Sequence, residues 1–141
     1  MPNVLTYNDA LHRDAVIRLW RDVFAYPTAH NRPELTLARK LAVDQLLFVA
    51  VDADTVVGTT MAGYDGHRGW LYSVAVHPGW QKRGIGGALV RHAEAALIAL
   101  GCLKINLQIT AGNEAVVAFY ERLGYVVEPR VSMGKVIIAN V

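Results

Sequence analysis

Residues 74 to 87 read VAVHPGWQKRGIGG, and this stretch decides the fold. An apolar run typical of a strand ends at Pro78, and glycines then open a long apolar helix. The first N–H groups of a helix lack partners within the helix, and the helix dipole favours negative charge, so such a junction suits a phosphate. Lys82 and Arg83 add positive charge, although two basic residues in a loop are equally typical of a solvated surface.

The glycines of the junction have a second interpretation. Gly84, Gly86 and Gly87 permit a tight turn from strand to helix whether or not a ligand binds there. Two common nucleotide motifs are excluded, because a dinucleotide fingerprint requires a third glycine where Leu89 stands and because no GK[ST] sequence occurs.

Strand and helix patterns extend from the junction in both directions. Upstream we predict one helix that begins at Asn8-Asp9 and a second helix at Glu34–Val43. The predicted upstream strands are Val4–Tyr7, Leu46–Val51, Thr55–Tyr64 and Trp70–Val76. Downstream we predict a helix from Ile85 to Gly101, a strand at Lys104–Thr110, a helix from Asn113 to Gly124, and strands at Tyr125–Glu128 and Val131–Ile138.

The composition indicates one ordinary globular domain. The chain has 141 residues, and its 14 Lys and Arg against 12 Asp and Glu are too balanced to predict nucleic-acid or membrane binding. Cys102 is the single cysteine, which excludes an intrachain disulfide, and we expect it to be a small buried hydrophobe. With no leader pattern and no apolar run of ~20 residues, we expect a cytoplasmic protein.

The spacing around the junction resembles one family. Gln81-x-x-Gly84-x-Gly86 is similar to the pyrophosphate loop, Q/R-x-x-G-x-G/A, of the GNAT acetyltransferase superfamily. The strand before it, the helix after it, Asn113 and FYERLGY at residues 119 to 125 stand at the family's spacing. The resemblance covers nearly the whole chain. GYDGHRG and ALGCLKINLQI look most like the YpeA-like bacterial acetyltransferases.

The resemblance implies a fold and a donor. The fold would be an α/β (α+β) single domain over residues 1–141, with a mixed, mostly antiparallel twisted sheet of about six or seven strands, about four flanking helices and a splayed centre. Acetyl-coenzyme A would enter the splay, its pantetheine arm pairing with the strand as an added strand does. The residues implied to bind it are Val74, Ala75, Val76, Gln81, Lys82, Arg83, Gly84, Ile85, Gly86, Gly87 and Asn113; for Val74 and Val76 the alternative is core packing.

The resemblance also implies catalytic roles. Tyr120 stands at the family's position for the general acid that protonates the departing thiolate, and a backbone N–H near Val74 or Ala75 would bind the oxyanion. The alternative for Tyr120 is that its ring packs beside Phe119 while its hydroxyl only binds coenzyme. For Asn113 the alternative is helix capping alone.

The general base is not determined by the sequence. Some protein-acetylating relatives carry a glutamate five residues before the asparagine, where this chain has Gln108, which cannot accept a proton at neutral pH. The remaining candidates are water, Asp65, His67, and Tyr72 or Ser73 acting through water. We expect the acceptor to be a primary amine of a small molecule or a protein, and the loop from Tyr26 to Pro33, expected to shape its pocket, has no decisive charge pattern.

Other functions make different predictions. A regulator would bind acyl-coenzyme A without turnover, and nucleic-acid binding through Lys82, Arg83, Arg91 and His92 would depend strongly on salt. The five histidines and Cys102 show no metal-ligand spacing, so we expect no metal site. The apolar segment Val131–Ile138 predicts strand pairing across a homodimer.

Overall fold

The computed structural model describes residues 1–24 and 29–138. In chain order its strands and helices are β1 Asn3–Thr6, α1 Asp9–Val23, α2 Pro33–Val43, β2 Leu47–Asp52, β3 Thr55–Tyr64, β4 Arg68–Val76, α3 Ile85–Ala99, β5 Lys104–Asn106 and α4 Glu114–Arg122. Two 3₁₀ turns lie at Ala29–Asn31 and Pro78–Trp80. Of the loop predicted to shape the acceptor pocket, residues 26 to 28 lie outside the described residues.

The sheet has the order β1-β2-β3-β4-β5. Its first four strands are antiparallel, whereas β4 and β5 are parallel, which confirms the predicted mixed and mostly antiparallel sheet. The parallel ladder between β4 and β5 covers only Arg68 to Trp70 on one side and Lys104 to Asn106 on the other. Beyond Trp70 the two strands part, so the remaining edge of β4 has no strand partner on the β5 side in the part of the chain that the structure describes. This is the predicted splay.

The helices cover both faces of the sheet. Alternate residues of a strand point to opposite faces, and β2 shows this directly: Leu47 and Val49 pack with α1 and α2, whereas Phe48 and Ala50 pack on the α3 side. β3 is covered on both faces, since its residues from Val56 to Ala62 are all buried. Each face therefore buries its own core.

The strand count was predicted wrongly at the C-terminal end. Within the described part of the chain, the sheet has five strands, and neither Tyr125–Glu128 nor Val131–Ile138 forms one. The predicted strand Lys104–Thr110 is shortened to β5. A three-residue edge offers few backbone groups for a further strand, and Pro129 has no N–H to donate. The dimer predicted from Val131–Ile138 stays a prediction.

Side chains rather than a backbone ladder fix the segment after α4 beside β5. The Asn106 amide Nδ2 donates to Glu128 Oε1 at 2.8 Å, and Gln108 Nε2 donates to Ser132 Oγ at 2.6 Å. Lys104 and Glu128 form an ion pair beside these bonds. Cys102 is half-buried against the same core rather than fully buried as expected.

None of the helices in the described residues is long and apolar enough to cross a membrane. Over those residues, 1–24 and 29–138, no group of three His, Cys, Asp or Glu side chains could hold a metal ion.

Candidate active site

A β-bulge lies at the centre of β4. Thr59 pairs with Ala75 and Met61 pairs with Tyr72, so β4 carries an extra residue opposite Thr60. Ser73 lies within the bulge with φ of +48°, a left-handed conformation that is uncommon for residues other than glycine. A bulge bends its strand and increases the local twist, which separates the second half of β4 from β5.

A chain of buried hydrogen bonds supports the bulge. The Trp20 indole Nε1 donates to Thr59 Oγ1 at 2.9 Å, and the Thr59 hydroxyl donates to the Ser73 carbonyl at 2.9 Å. The side chains of Trp20 and Thr59 are fully buried. Sequence reasoning missed this arrangement, because SVAV has no feature that distinguishes a bulged strand from a regular one.

The three residues after the bulge form the free edge. Ala75 faces α1 and α2 and is 2% exposed, whereas Val74 and Val76 face the α3 layer. Val74 packs in the cluster that contains Tyr120, and Val76 packs in the cluster that contains Ile85. Their side chains therefore belong to the core, and what this edge offers a ligand is its backbone.

The loop after β4 is shaped by three local features. His77 Nδ1 accepts from the Gly79 N–H at 3.1 Å and starts the short turn Pro78–Trp80. Gln81 donates its amide to the Val76 carbonyl at 3.2 Å, which ties the loop to the end of β4. The Arg83 guanidinium lies 4.8 Å from the centre of the Trp80 ring, within the range of a cation–π contact.

The start of α3 exposes backbone donors. Gly84 precedes the helix with φ of +82° and supplies no capping side chain. The first backbone bond of the helix runs from the Ala88 N–H to the Gly84 carbonyl at 3.1 Å. The N–H groups of Ile85, Gly86 and Gly87 have no protein partner among the described residues. The anion site expected here stays a prediction.

Gly86 joins three elements. A Cβ at this position would lie 3.1 Å from Phe119 Cζ and 3.7 Å from Val76 Cγ2. The start of α3, the end of β4 and α4 therefore meet here, and a side chain at this position would press on the Phe119 ring.

Tyr120 lies in the core beside this meeting point. It is 7% exposed, and its ring contacts Phe119 and Tyr125 edge-on, with centroid separations of 4.9 and 5.6 Å. Burial raises its pKa to about 12, because the phenolate would lose its hydration. Its hydroxyl makes no hydrogen bond to the described residues, whereas the neighbouring Tyr125 hydroxyl donates to Glu94 Oε2 at 2.7 Å. The Tyr120 phenol is thus protonated at neutral pH and free to donate.

Asn113 has a structural role. Its Oδ1 accepts from the Val116 N–H at 3.4 Å, so it caps α4. Its predicted contact with the coenzyme arm stays a prediction.

The side chains considered as a general base are engaged or poorly matched to the role. Asp65 Oδ1 accepts from the N–H groups of His67 and Arg68 at 2.8 and 2.7 Å, and these bonds lower its pKa. Tyr72 is 47% exposed, and burial together with the Asp65 charge raises its pKa. Gln108 is bonded to Ser132. Asp65 therefore organises a turn, and His67 is exposed in that same turn.

Comparisons with known proteins agree with this geometry. The profile of the acetyltransferase (GNAT) family matches residues 13–125. An acetyltransferase of Pectobacterium atrosepticum is 42% identical over 129 residues, 90% of each chain. The structure matches the ribosomal-protein-S18-alanine N-acetyltransferase of Escherichia coli with a TM-score of 0.75 and 24% identity, covering 88% of this chain and 77% of that one. It matches an aminoglycoside N-acetyltransferase solved with CoA with a TM-score of 0.79 and 15% identity, covering 98% and 96%.

Fold and sequence together define an acetyltransferase. The chain belongs to the GNAT family, as its sequence predicted. The YpeA-like branch within that family stays a prediction.

Proposed function

We propose that this protein transfers an acetyl group from acetyl-coenzyme A directly to a primary amine. The observation that carries the proposal is the junction of β4 and α3. There, the N–H groups of Ile85, Gly86 and Gly87, which have no partner in residues 1–24 and 29–138, follow a strand whose second half has an edge that no described strand pairs with. An anion and an extended chain joined to it fit this pair of features, as the pyrophosphate and pantetheine of the coenzyme would.

The positive charge of the loop also supports this donor. Lys82 and Arg83 are exposed beside the helix start. Lys82 has φ of +63° and Gly84 follows it with φ of +82°, so the backbone turns sharply between β4 and α3. Turns that contain left-handed residues are common at anion-binding concavities formed by backbone N–H groups.

Acetyl-coenzyme A would supply the thioester: its acetyl carbonyl carbon bonds to the amine nitrogen, its bond to sulfur breaks, and coenzyme A leaves as the thiol. Tyr120 holds a proton on its hydroxyl oxygen and donates it to the departing sulfur. The amine loses one proton to solvent, and the Tyr120 phenolate takes one proton back from solvent. A backbone N–H near Val74 or Ala75 stabilises the negative oxygen that develops on the carbonyl. A phenol with its pKa raised by burial stays protonated at the pH where a fraction of the amine is neutral.

The base is supplied by water in this mechanism. The two bonds that Asp65 accepts from the turn lower its pKa, and Gln108 has no basic atom. By their names, the two structural neighbours act on a ribosomal-protein alanine and on aminoglycosides. At 24% and 15% identity, their similarity indicates a shared fold and does not identify the acceptor of this protein.

Calorimetry with acetyl-coenzyme A tests the donor site. Arg83→Glu changes the charge of an exposed loop residue, and Arg18→Glu makes the same change on the exposed face of α1. We expect the affinity of Arg83→Glu to fall roughly tenfold at low salt and less at high salt, with Arg18→Glu unchanged.

Three outcomes separate the alternatives. An absence of binding by the wild type would reject the proposal. An equal loss of affinity for acetyl-coenzyme A in Arg83→Glu and Arg18→Glu would mean that the coenzyme does not bind at the junction of β4 and α3. Binding without transfer to any amine would favour the acyl-coenzyme A-binding regulator.

A further inference from the structure

An open cleft of about 730 Å³ lies between α2 and the segment from Gly134 to Ile138. Met61 connects it to the sheet, on the face that α1 and α2 cover. Met61 is paired with Tyr72, whose next residue is Ser73 of the bulge. Since directly paired residues project to the same face, the cleft lies on the face of the sheet to which Tyr72, the neighbour of the bulge, projects.

The lining is mainly apolar. Its hydrophobic members are Leu35, Val43, Met61, Val136, Ile137 and Ile138. Val43 and Ile137 are 78% and 81% exposed, which leaves hydrophobic surface uncovered in the cleft. A ligand with an apolar body would remove this surface from water.

The charged lining residues are all cationic. Arg39, Lys40 and Lys135 line the cleft together with His30, and no carboxylate is among the described lining residues. Lys40 is already engaged, because its ammonium bonds to the Ala62 carbonyl and lies 2.7 Å from Asp44 Oδ1. Arg39 and Lys135 form no ion pair within the described part of the chain. These two charges are available to a ligand.

We propose that the acceptor is a primary amine whose apolar body carries a carboxylate, held by Arg39 and Lys135. This rests on the proposed function, because the acetyl group must reach the amine of the same molecule. A polycationic acceptor would meet charge of its own sign in this cleft, whereas a carboxylate satisfies both free cations and leaves the apolar lining to the body of the molecule.

Binding tests the inference without any turnover. The probes are 4-methylpentanoate and 4-methylpentanamide, which share their apolar body and lack the amine, titrated by NMR into the full-length protein. We expect the carboxylate to bind more tightly. The variant Arg39→Gln/Lys135→Gln should lose that preference, by up to about fivefold for each exposed cation. The control Arg18→Gln/Arg122→Gln removes the same charge outside the cleft lining and should keep it. Equal binding of both probes, or equal losses in both variants, would overturn the inference.

Transfer assays separate this inference from the proposed function. Leucine and leucinamide are acetyl acceptors that differ in the carboxylate. The kcat/KM for leucine divided by that for leucinamide should be lower in Arg39→Gln/Lys135→Gln than in the wild type. Because both proteins are tested with the same two amines, the difference in amine basicity cancels from this comparison. Transfer with an unchanged ratio would overturn the acceptor class and leave the proposed function standing. The absence of transfer to either amine, with acetyl-coenzyme A still bound, would count against transfer itself and therefore against the assignment of the cleft to an acceptor.

Discussion

The Thr59 hydroxyl on β3 donates to the Ser73 carbonyl on β4 at 2.9 Å, and the Thr59 Oγ1 atom accepts a hydrogen bond from the Trp20 indole N–H. This bond holds the bulge of β4, which lies just beyond the last residue of β4 that pairs with β5, Trp70. Thr60, the next residue, is equally buried, but its Oγ1 has no hydrogen-bond partner among the described residues. The two adjacent threonines therefore provide a matched pair for mutation.

Thr59→Val should destabilise the protein and reduce activity. It leaves the Trp20 N–H and the Ser73 carbonyl unpaired in the core, which costs about 1–3 kcal/mol in the free energy of unfolding. Displacing the β4 backbone should lower kcat/KM about tenfold or more. Urea unfolding and an acetyl-transfer assay measure the two effects. Thr60→Val removes a hydroxyl without a partner and should leave stability unchanged or higher. Equal losses in both variants would contradict the role given to Thr59.

Tyr120→Phe should separate catalysis from stability. The ring is retained and the lost hydroxyl makes no hydrogen bond to any described residue, so the free energy of unfolding should change by less than about 0.5 kcal/mol. If the phenol is the general acid, kcat should fall roughly 100-fold or more. Tyr125→Phe is the control, because it loses the bond to Glu94 and should cost about 1 kcal/mol in stability while kcat is kept. A normal kcat in Tyr120→Phe would show that Tyr120 is not the general acid and contributes only to core packing.

The pH dependence follows from the burial of Tyr120. Its pKa in the folded protein is about 12, above the ordinary value of 10.0, so the neutral phenol is favoured by folding. The stability that this gives is complete below about pH 10 and is lost between about pH 10 and 12. Because the acid stays protonated, kcat/KM should rise with the neutral fraction of the amine and show no alkaline decline below pH 10.

Ultraviolet titration of tyrosine ionisation checks this prediction. Tyr7 and Tyr125 also have raised pKa values, because of burial and neighbouring carboxylates, so the difference between the wild type and Tyr120→Phe is the quantity to measure. An alkaline decline in rate with a midpoint near pH 9 would mean that Tyr120 ionises more easily than its burial implies.

Asp65→Asn tests whether a carboxylate serves as the base. Asparagine keeps an oxygen that can accept from the His67 and Arg68 N–H groups, so the turn and kcat should both be preserved. The lowered pKa of Asp65 means that its contribution to stability is present above its ordinary pKa of 3.8 and is lost as the pH falls below it. The decrease in the free energy of unfolding as the pH falls below 3.8 should therefore be smaller in Asp65→Asn than in the wild type. A loss of kcat by about 100-fold would instead identify Asp65 as the base.

The family, the strand-to-helix junction and the order of helices and strands as far as α4 could be predicted from the sequence, although β5 ends at Asn106 rather than at Thr110. These follow from neighbouring residues: hydrophobic periodicity, the glycines after Pro78 and the cap at Asn113 are local signals. The same local reasoning failed after α4, where Val131–Ile138 has the composition of a strand but the short β5 gives it little backbone to pair with.

Only the tertiary structure decided the bulge, the state of Tyr120 and the cleft. The bonds that support Ser73 join residues 39 and 14 positions apart in the chain, so no short segment contains them. Tyr120 has its raised pKa because α4 packs it against the sheet, and burial is a property of the assembled layers. The cleft likewise exists only once α2 and the C-terminal segment lie side by side, which places Arg39 and Lys135 on one surface.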